Sequence, residues 1–88
     1  MSLWSLQETE RRRTIVTRLL KNMIDFVQGL DEKSGDPVMT RLDAIHVVRS
    51  YQEKALTKFE AVWGISAAEP WRALIGEILD AMSRQESN

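Results

Sequence analysis

Cysteine is absent from this 88-residue chain, which excludes a disulfide framework and a thiolate zinc site. Proline and glycine are scarce, with two and four residues, so collagen-like and low-complexity chains are excluded as well. No uncharged stretch approaches the length of about 20 residues that a membrane-spanning helix needs. The amino terminus lacks the basic-then-apolar layout of a signal peptide. We therefore expect a cytoplasmic protein.

An excess of charge of either sign is also missing. Lys and Arg number 12 and Asp and Glu number 13, for a formal net charge of −1. Because clustered positive charge drives binding to nucleic-acid phosphates, this balance gives no general reason to expect such binding. The chain has one histidine, and it has no Gly-rich phosphate loop and no paired catalytic carboxylates. The sequence therefore shows no set of nucleophile, base and orienting group. We expect no enzyme, no cofactor and no bound metal.

Capping and turn residues divide the chain into three helices within a single domain. Ser5 and Glu8 have the spacing of a capping box, and Gly29 is suited to end the helix that follows. The Asp-Pro pair at 36–37 predicts the start of the second helix. No alternating pattern indicates a strand. The expected fold is all-α, an antiparallel hairpin of two long helices plus a shorter third helix in one domain, 1–88, with helices over about 5–28, 37–63 and 70–84 and a flexible tail over 85–88.

The first helix carries a broad apolar stripe. At about 100° per residue, the apolar side chains between Ile15 and Leu30 cover one half of the helix surface. A stripe about 180° wide is more than one neighbouring helix needs. We therefore expect this helix to contact at least two others.

The predicted third helix is too short to cover both ends of the hairpin. At about 1.5 Å per residue, the first two helices approach 35–40 Å and the third only roughly 22 Å. The loop end of the hairpin is then left open, and soluble monomers rarely expose such an apolar patch. We therefore expect a homodimer with twofold symmetry, or a helical partner protein in the same place. The predicted interface residues are Met23, Ile24, Val27, Leu30, Val38, Met39, Leu42 and Ile45.

The densest run of charge is Arg11-Arg12-Arg13. Two glutamates precede it at spacings that allow ion pairs within one helix, which favours a solvated surface. Arg12 nevertheless falls on the apolar side of the first helix. Contact with an acidic partner surface and contact with nucleic-acid phosphates are the alternatives. The residues available for either contact are Arg11, Arg12, Arg13, Arg18 and Lys21.

Two smaller groups of residues are candidates for binding. Arg49 and Gln52 interrupt the apolar face of the second helix, either as a polar device that fixes helix register or, with Tyr51, as a contact for a small ligand. Trp63 and Trp71 flank the second turn, either as a small core that seals the bundle or as an aromatic anchor for a target peptide.

The wide apolar faces and the missing catalytic groups favour a small helical protein–protein interaction module. Such a module acts by contact, as a regulator, adaptor or assembly factor. The alternative is a nucleic-acid-associated accessory protein that uses the arginine run. A third hypothesis is a bundle that senses a small ligand.

Overall fold

Three α-helices of nearly equal length make up the described chain. The computed structural model describes residues 4–29 and 36–87, and within these ranges it contains helices and no strand. The second helix packs more extensively on the third than on the first, and the first and third helices touch least. The predicted all-α three-helix bundle is confirmed. Its helices are α1 (Leu6–Gln28), α2 (Arg41–Trp63) and α3 (Ile65–Glu86).

Local signals set both ends of α1, as the sequence predicts. The Glu8 backbone N–H donates to Ser5 Oγ at 3.1 Å, and the Ser5 hydroxyl donates to the Glu8 carboxylate at 3.1 Å. The Ser5 backbone N–H also donates to the Glu8 carboxylate, so this capping box satisfies two backbone donors at the start of the helix. At the other end Gly29 adopts a left-handed conformation with φ of 79°, and its N–H donates to the carbonyls of Asp25 and Phe26.

The carboxyl group of Glu8 is expected to titrate below the usual range of glutamate. Arg12 Nη1 donates to Glu8 Oε2 at 3.0 Å, and this bond, followed by hydrogen bonds from Ser5, lowers the pKa of Glu8. Because the folded pKa is the lower one, the pair stabilises the fold above the unfolded pKa, and this stabilisation is lost as the pH falls through the folded pKa. Carboxyl NMR titration should give a lowered midpoint that Arg12→Gln raises. Identical midpoints in both proteins would contradict the assigned cause.

The second helix begins later than the sequence predicts. Thr40 rather than Asp36 is its N-cap, because the Asp43 backbone N–H donates to Thr40 Oγ1 at 3.1 Å. The preceding residues are drawn away from helical geometry, since the Val38 N–H donates to the carbonyl of Gln28 at 2.8 Å. The predicted start at residue 37 is therefore wrong by four residues, whereas the predicted end at residue 63 is confirmed.

The third helix begins earlier than the sequence predicts. Gly64 alone makes the turn, with φ of 94° and ψ of 162°, a backbone conformation that favours glycine. Pro70 lies inside the helix instead of in its first turn, so the Ser66 carbonyl loses its usual intrahelical donor. Ser66 is exposed, and water can bond this carbonyl instead. The predicted start at residue 70 is therefore wrong.

The predicted length mismatch between the helices is wrong. The helices contain 23, 23 and 22 residues, and the third includes residues 85 and 86, which the sequence placed in a flexible tail. Residue 88 lies outside the described residues. Because of this length, α3 reaches the loop end of the hairpin, where Met82 and Arg84 line a groove together with Lys21 and Arg41. The chain itself covers part of the end that the sequence left open, since Ile24 and Ile45 are buried whereas Val38 is exposed.

The core lies between all three helices and includes two residues that the sequence assigned to an interface. Ile24 and Ile45 are 0% exposed, so their predicted place on an open face is corrected. They are enclosed because the longer α3 adds its own apolar row to the loop half of the hairpin. The buried core consists of Leu20, Ile24, Ala44, Ile45, Val48, Leu74, Ile78 and Leu79.

A polar cluster ties the end of α1 to the start of α2. Arg41 Nη1 donates to Asp25 Oδ1 at 2.7 Å and to Gln28 Oε1 at 2.9 Å. The Gln28 amide in turn donates to the Met39 carbonyl at 3.2 Å. Gln28 is only 6% exposed, so these bonds satisfy a buried polar group and fix the crossing of the two helices.

Candidate interaction groove between the first two helices

The apolar stripe of α1 is only half covered by the rest of the chain. Leu20 and Ile24 are buried in the core, whereas Ile15, Leu19 and Phe26 are exposed. The excess of apolar surface that the sequence predicts is therefore present. It lies along the flank of the α1–α2 hairpin, from Leu19 to the last turn of α1.

This surface forms a groove of about 710 Å³ between α1 and α2, called here the α1–α2 groove. Its floor contains side chains that the bundle partly or fully buries, and its walls contain exposed ones. Phe26 on one wall is 72% exposed and Tyr51 on the other is 64% exposed. The groove is lined by Leu19, Asn22, Met23, Phe26, Val27, Val47, Val48 and Tyr51.

Helical spacing explains how these walls arise. Leu19, Asn22 and Phe26 are three and four residues apart, so they form one row on α1. Val47 and Tyr51 are four residues apart and form the facing row on α2. Almost every lining side chain is apolar, and the Asn22 amide interrupts the α1 row. Such a groove is suited to contact with apolar side chains.

Only part of the predicted interface lies in this groove. Met23 and Val27 line it. Val38 is exposed but is not part of the lining. Leu30 lies outside the described residues. The remaining predicted interface residues are half-buried or buried within the chain, namely Ile24, Met39, Leu42 and Ile45.

Five lining residues were missing from the predicted interface: Leu19, Asn22, Phe26, Val47 and Tyr51. The signal for the α1 wall is present in the sequence, because Leu19 and Phe26 belong to the broad apolar stripe. A helical wheel gives the width of such a stripe, but it does not show which half the neighbouring helices cover.

Arg12 is accommodated within the chain. Its guanidinium lies 4.4 Å from the centroid of the Trp4 ring and pairs with Glu8 at 3.0 Å. Trp4 in turn packs edge-on against Trp71, with ring centroids 4.6 Å apart. Cation–π contact and the ion pair explain why an arginine lies on the apolar side of α1.

The other basic candidates divide into paired and unpaired residues. Arg13 pairs with Glu77 of α3 at 3.2 Å. Arg11, Arg18 and Lys21 are exposed, and none of them forms an ion pair with any part of the chain that the structure describes. The arginine run is therefore not one continuous basic surface.

The two candidate tryptophans do not form one anchor. Trp71 is half-buried and packs on Trp4, whereas Trp63 is exposed and tilts against Phe59 with ring centroids 6.4 Å apart. Trp63 belongs instead to an exposed apolar corner where α2 meets α3, together with Val62 and Ile65.

The polar residues in the middle of α2 do not line one cavity. Arg49 pairs with Asp80 of α3 at 2.8 Å. Gln52 donates to the sulfur of Met23 at 3.3 Å, and Tyr51 lines the α1–α2 groove. Tyr51 and Gln52 thus line different grooves, and Arg49 lines neither of them.

Residues 4–29 and 36–87 also contain a further groove. It has a volume of about 490 Å³ and lies between α1 and α3, and its lining carries charges of both signs. Within these ranges no three His, Asp or Glu side chains come together to hold a metal ion. None of the described helices combines the length and the apolar character needed to cross a membrane.

Comparison with known proteins does not extend this description. No protein-family model, curated protein or solved structure matches the chain.

Proposed function

We propose that this protein is a helical protein–protein interaction module that acts by contact and binds an apolar helix face in the α1–α2 groove. The observation that carries the proposal is the exposed apolar wall on each side of a partly buried floor. The docked helix belongs either to a second copy, as in the homodimer predicted from the sequence, or to a different protein. Regulators, adaptors and assembly factors all work in this way.

Energetics support a macromolecular partner for this surface. Full burial of one large apolar side chain is worth about 1.5–3 kcal/mol, and the groove walls offer Leu19, Phe26, Val47 and Tyr51. Several such contacts offset part of the entropic cost of association. A long groove open to solvent accepts side chains spaced three and four residues apart on a docked helix, which is a common mode of peptide recognition.

The other two hypotheses from the sequence gain no such support. Two of the three arginines in the run at 11–13 already form ion pairs with the chain's own glutamates. The three residues proposed to sense a ligand lie in different surroundings. The α1–α2 groove is larger than the groove between α1 and α3, whose lining carries charges of both signs.

Phe26→Glu is expected to remove specific partners of the protein. Tagged wild-type protein, Phe26→Glu and Val62→Glu are used as baits in extracts of the native host, with mass spectrometry of the captured proteins. Phe26→Glu places a charge in the apolar groove, so partners that bind there should be lost.

Val62→Glu is the matched control because Val62 is 73% exposed and Phe26 is 72% exposed, while Val62 does not line the groove. It should retain the partners that Phe26→Glu loses. Circular dichroism checks that both variants keep their helical content. The same captured proteins with all three baits would show that the groove is not the interaction surface.

A further inference from the structure

Charge is distributed unevenly along the α2 rim of the groove. Asp43 and Lys54 are eleven residues apart, which is close to three full helical turns, and Val47 lies one turn from Asp43. All three residues therefore share the side of α2 that faces the groove. Asp43 and Lys54 are both exposed, and neither is ion-paired to another described residue. The α2 rim has an acidic end and a basic end.

The α1 rim adds to the basic end. Arg11 and Arg18 are seven residues apart and lie on one side of α1, where both are exposed. Leu19, next to Arg18, lines the same groove as Tyr51, which lies one turn from Lys54. Arg18 and Lys54 are therefore at the same end of the groove.

We propose that a second copy of the chain covers the α1–α2 groove with its own α1–α2 groove, docked by a twofold axis that crosses the helices near Asn22 and Val48. This inference rests on the proposed function, because it names the partner that the groove binds. In this arrangement α1 packs antiparallel on the other α1, and α2 packs antiparallel on the other α2. The basic end of one groove then meets the acidic end of the other.

The spacing along α2 fits this axis. Asp43 and Lys54 lie about 8 Å to either side of Val48 along the helix. In an antiparallel pair of α2 helices centred there, Asp43 of one copy lies opposite Lys54 of the other. Twofold symmetry repeats the contact, so two intermolecular ion pairs form.

The spacing along α1 fits the same axis. Leu19 and Phe26 lie three and four residues to either side of Asn22, so Leu19 of one copy packs against Phe26 of the other. Asn22 then lies next to the axis, where its amide meets that of the second copy. A buried asparagine of this kind specifies register between helices. Met23 and Val48 both contribute to the groove floor, and the proposed axis crosses the groove above them.

Charge also disfavours the other ways of filling the groove. A twofold axis parallel to the helices would bring Arg18 and Lys54 of both copies to the same end, where like charges repel. A different partner helix with acidic flanks would match the basic end but would place like charge against Asp43. Each groove has a basic end and an acidic end. When the second copy is antiparallel, opposite charges meet at both ends.

Charge reversal tests the arrangement. Sedimentation equilibrium is measured at high micromolar concentration for the wild-type protein, for Asp43→Lys, for Lys54→Glu and for an equimolar mixture of the two variants. Each variant alone places like charges opposite each other, so its dissociation constant should rise roughly tenfold. The mixture pairs a copy that is basic at both ends with one that is acidic at both ends, so association should return. Glu69→Lys and Lys21→Glu, exposed positions outside the groove lining, are the matched controls and should associate as the wild type does.

Three results would overturn the inference: a wild-type mass of one chain, reversal variants that associate as tightly as the wild type, or a mixture no tighter than its components. If the mass is that of one chain but another protein is captured in a manner that depends on Phe26, the proposed dimer is wrong. The proposed function then remains in place. A one-chain mass without such capture removes both.

Discussion

Ile45→Ala is expected to lower the free energy of unfolding by about 2–5 kcal/mol. Ile45 is 0% exposed and belongs to the core formed by all three helices. Truncation removes buried methyl groups and leaves a cavity that the surrounding side chains fill only in part. Small domains are stable by only about 5–15 kcal/mol, so this one change consumes a large share of the total.

Urea denaturation followed by circular dichroism, at one fixed protein concentration, measures this effect. Val62→Ala on the same helix is the control, because Val62 is exposed and its truncation should change stability by no more than about 0.5 kcal/mol. A loss below about 1 kcal/mol for Ile45→Ala would mean that α3 does not enclose the loop half of the hairpin.

Phe26→Glu is expected to raise the dissociation constant for self-association by about a hundredfold. The substitution removes the burial of a large aromatic side chain, worth about 1.5–3 kcal/mol, and places a carboxylate in an apolar groove. Each 1.4 kcal/mol corresponds to a tenfold change in affinity.

Sedimentation equilibrium of Phe26→Glu beside Val62→Glu checks this result. The two positions are almost equally exposed, so a general effect of added surface charge should appear in both. Equal dissociation constants for both variants and the wild type would place the self-association surface elsewhere on the molecule.

The parts of the fold that depend on local chemistry could be predicted from the sequence. Ser5 and Glu8 form the expected capping box, and Gly29 ends α1 in the expected left-handed conformation. The end of α2 at Gly64 is also correct. Each of these signals acts over a few neighbouring residues, so a single sequence contains it in full.

The errors arose where several local signals compete. The Asp-Pro pair at 36–37 is a good helix start, yet Thr40 caps the helix because Val38 is held by the carbonyl of Gln28. Pro70 is a good first-turn residue, yet α3 tolerates it inside the helix. The first choice lengthened the predicted α2 and the second shortened the predicted α3, so together they produced the predicted mismatch in helix length.

The candidate site depends on packing between helices, which a helical wheel does not contain. The sequence showed that the α1 stripe is too broad for one neighbour. It did not show that α3 covers the side with Ile24 and leaves the side with Phe26 exposed. A helical wheel also does not show the contact between Trp4 and Arg12. This contact explains why Arg12 lies on the apolar side of α1.

The mass of the unmodified chain in solution tests most directly whether a second copy covers the α1–α2 groove. Sedimentation equilibrium over a wide concentration range measures it. A mass that rises with concentration to twice the 10.1 kDa of one chain is the expected result. A mass of 10.1 kDa at every concentration would contradict it.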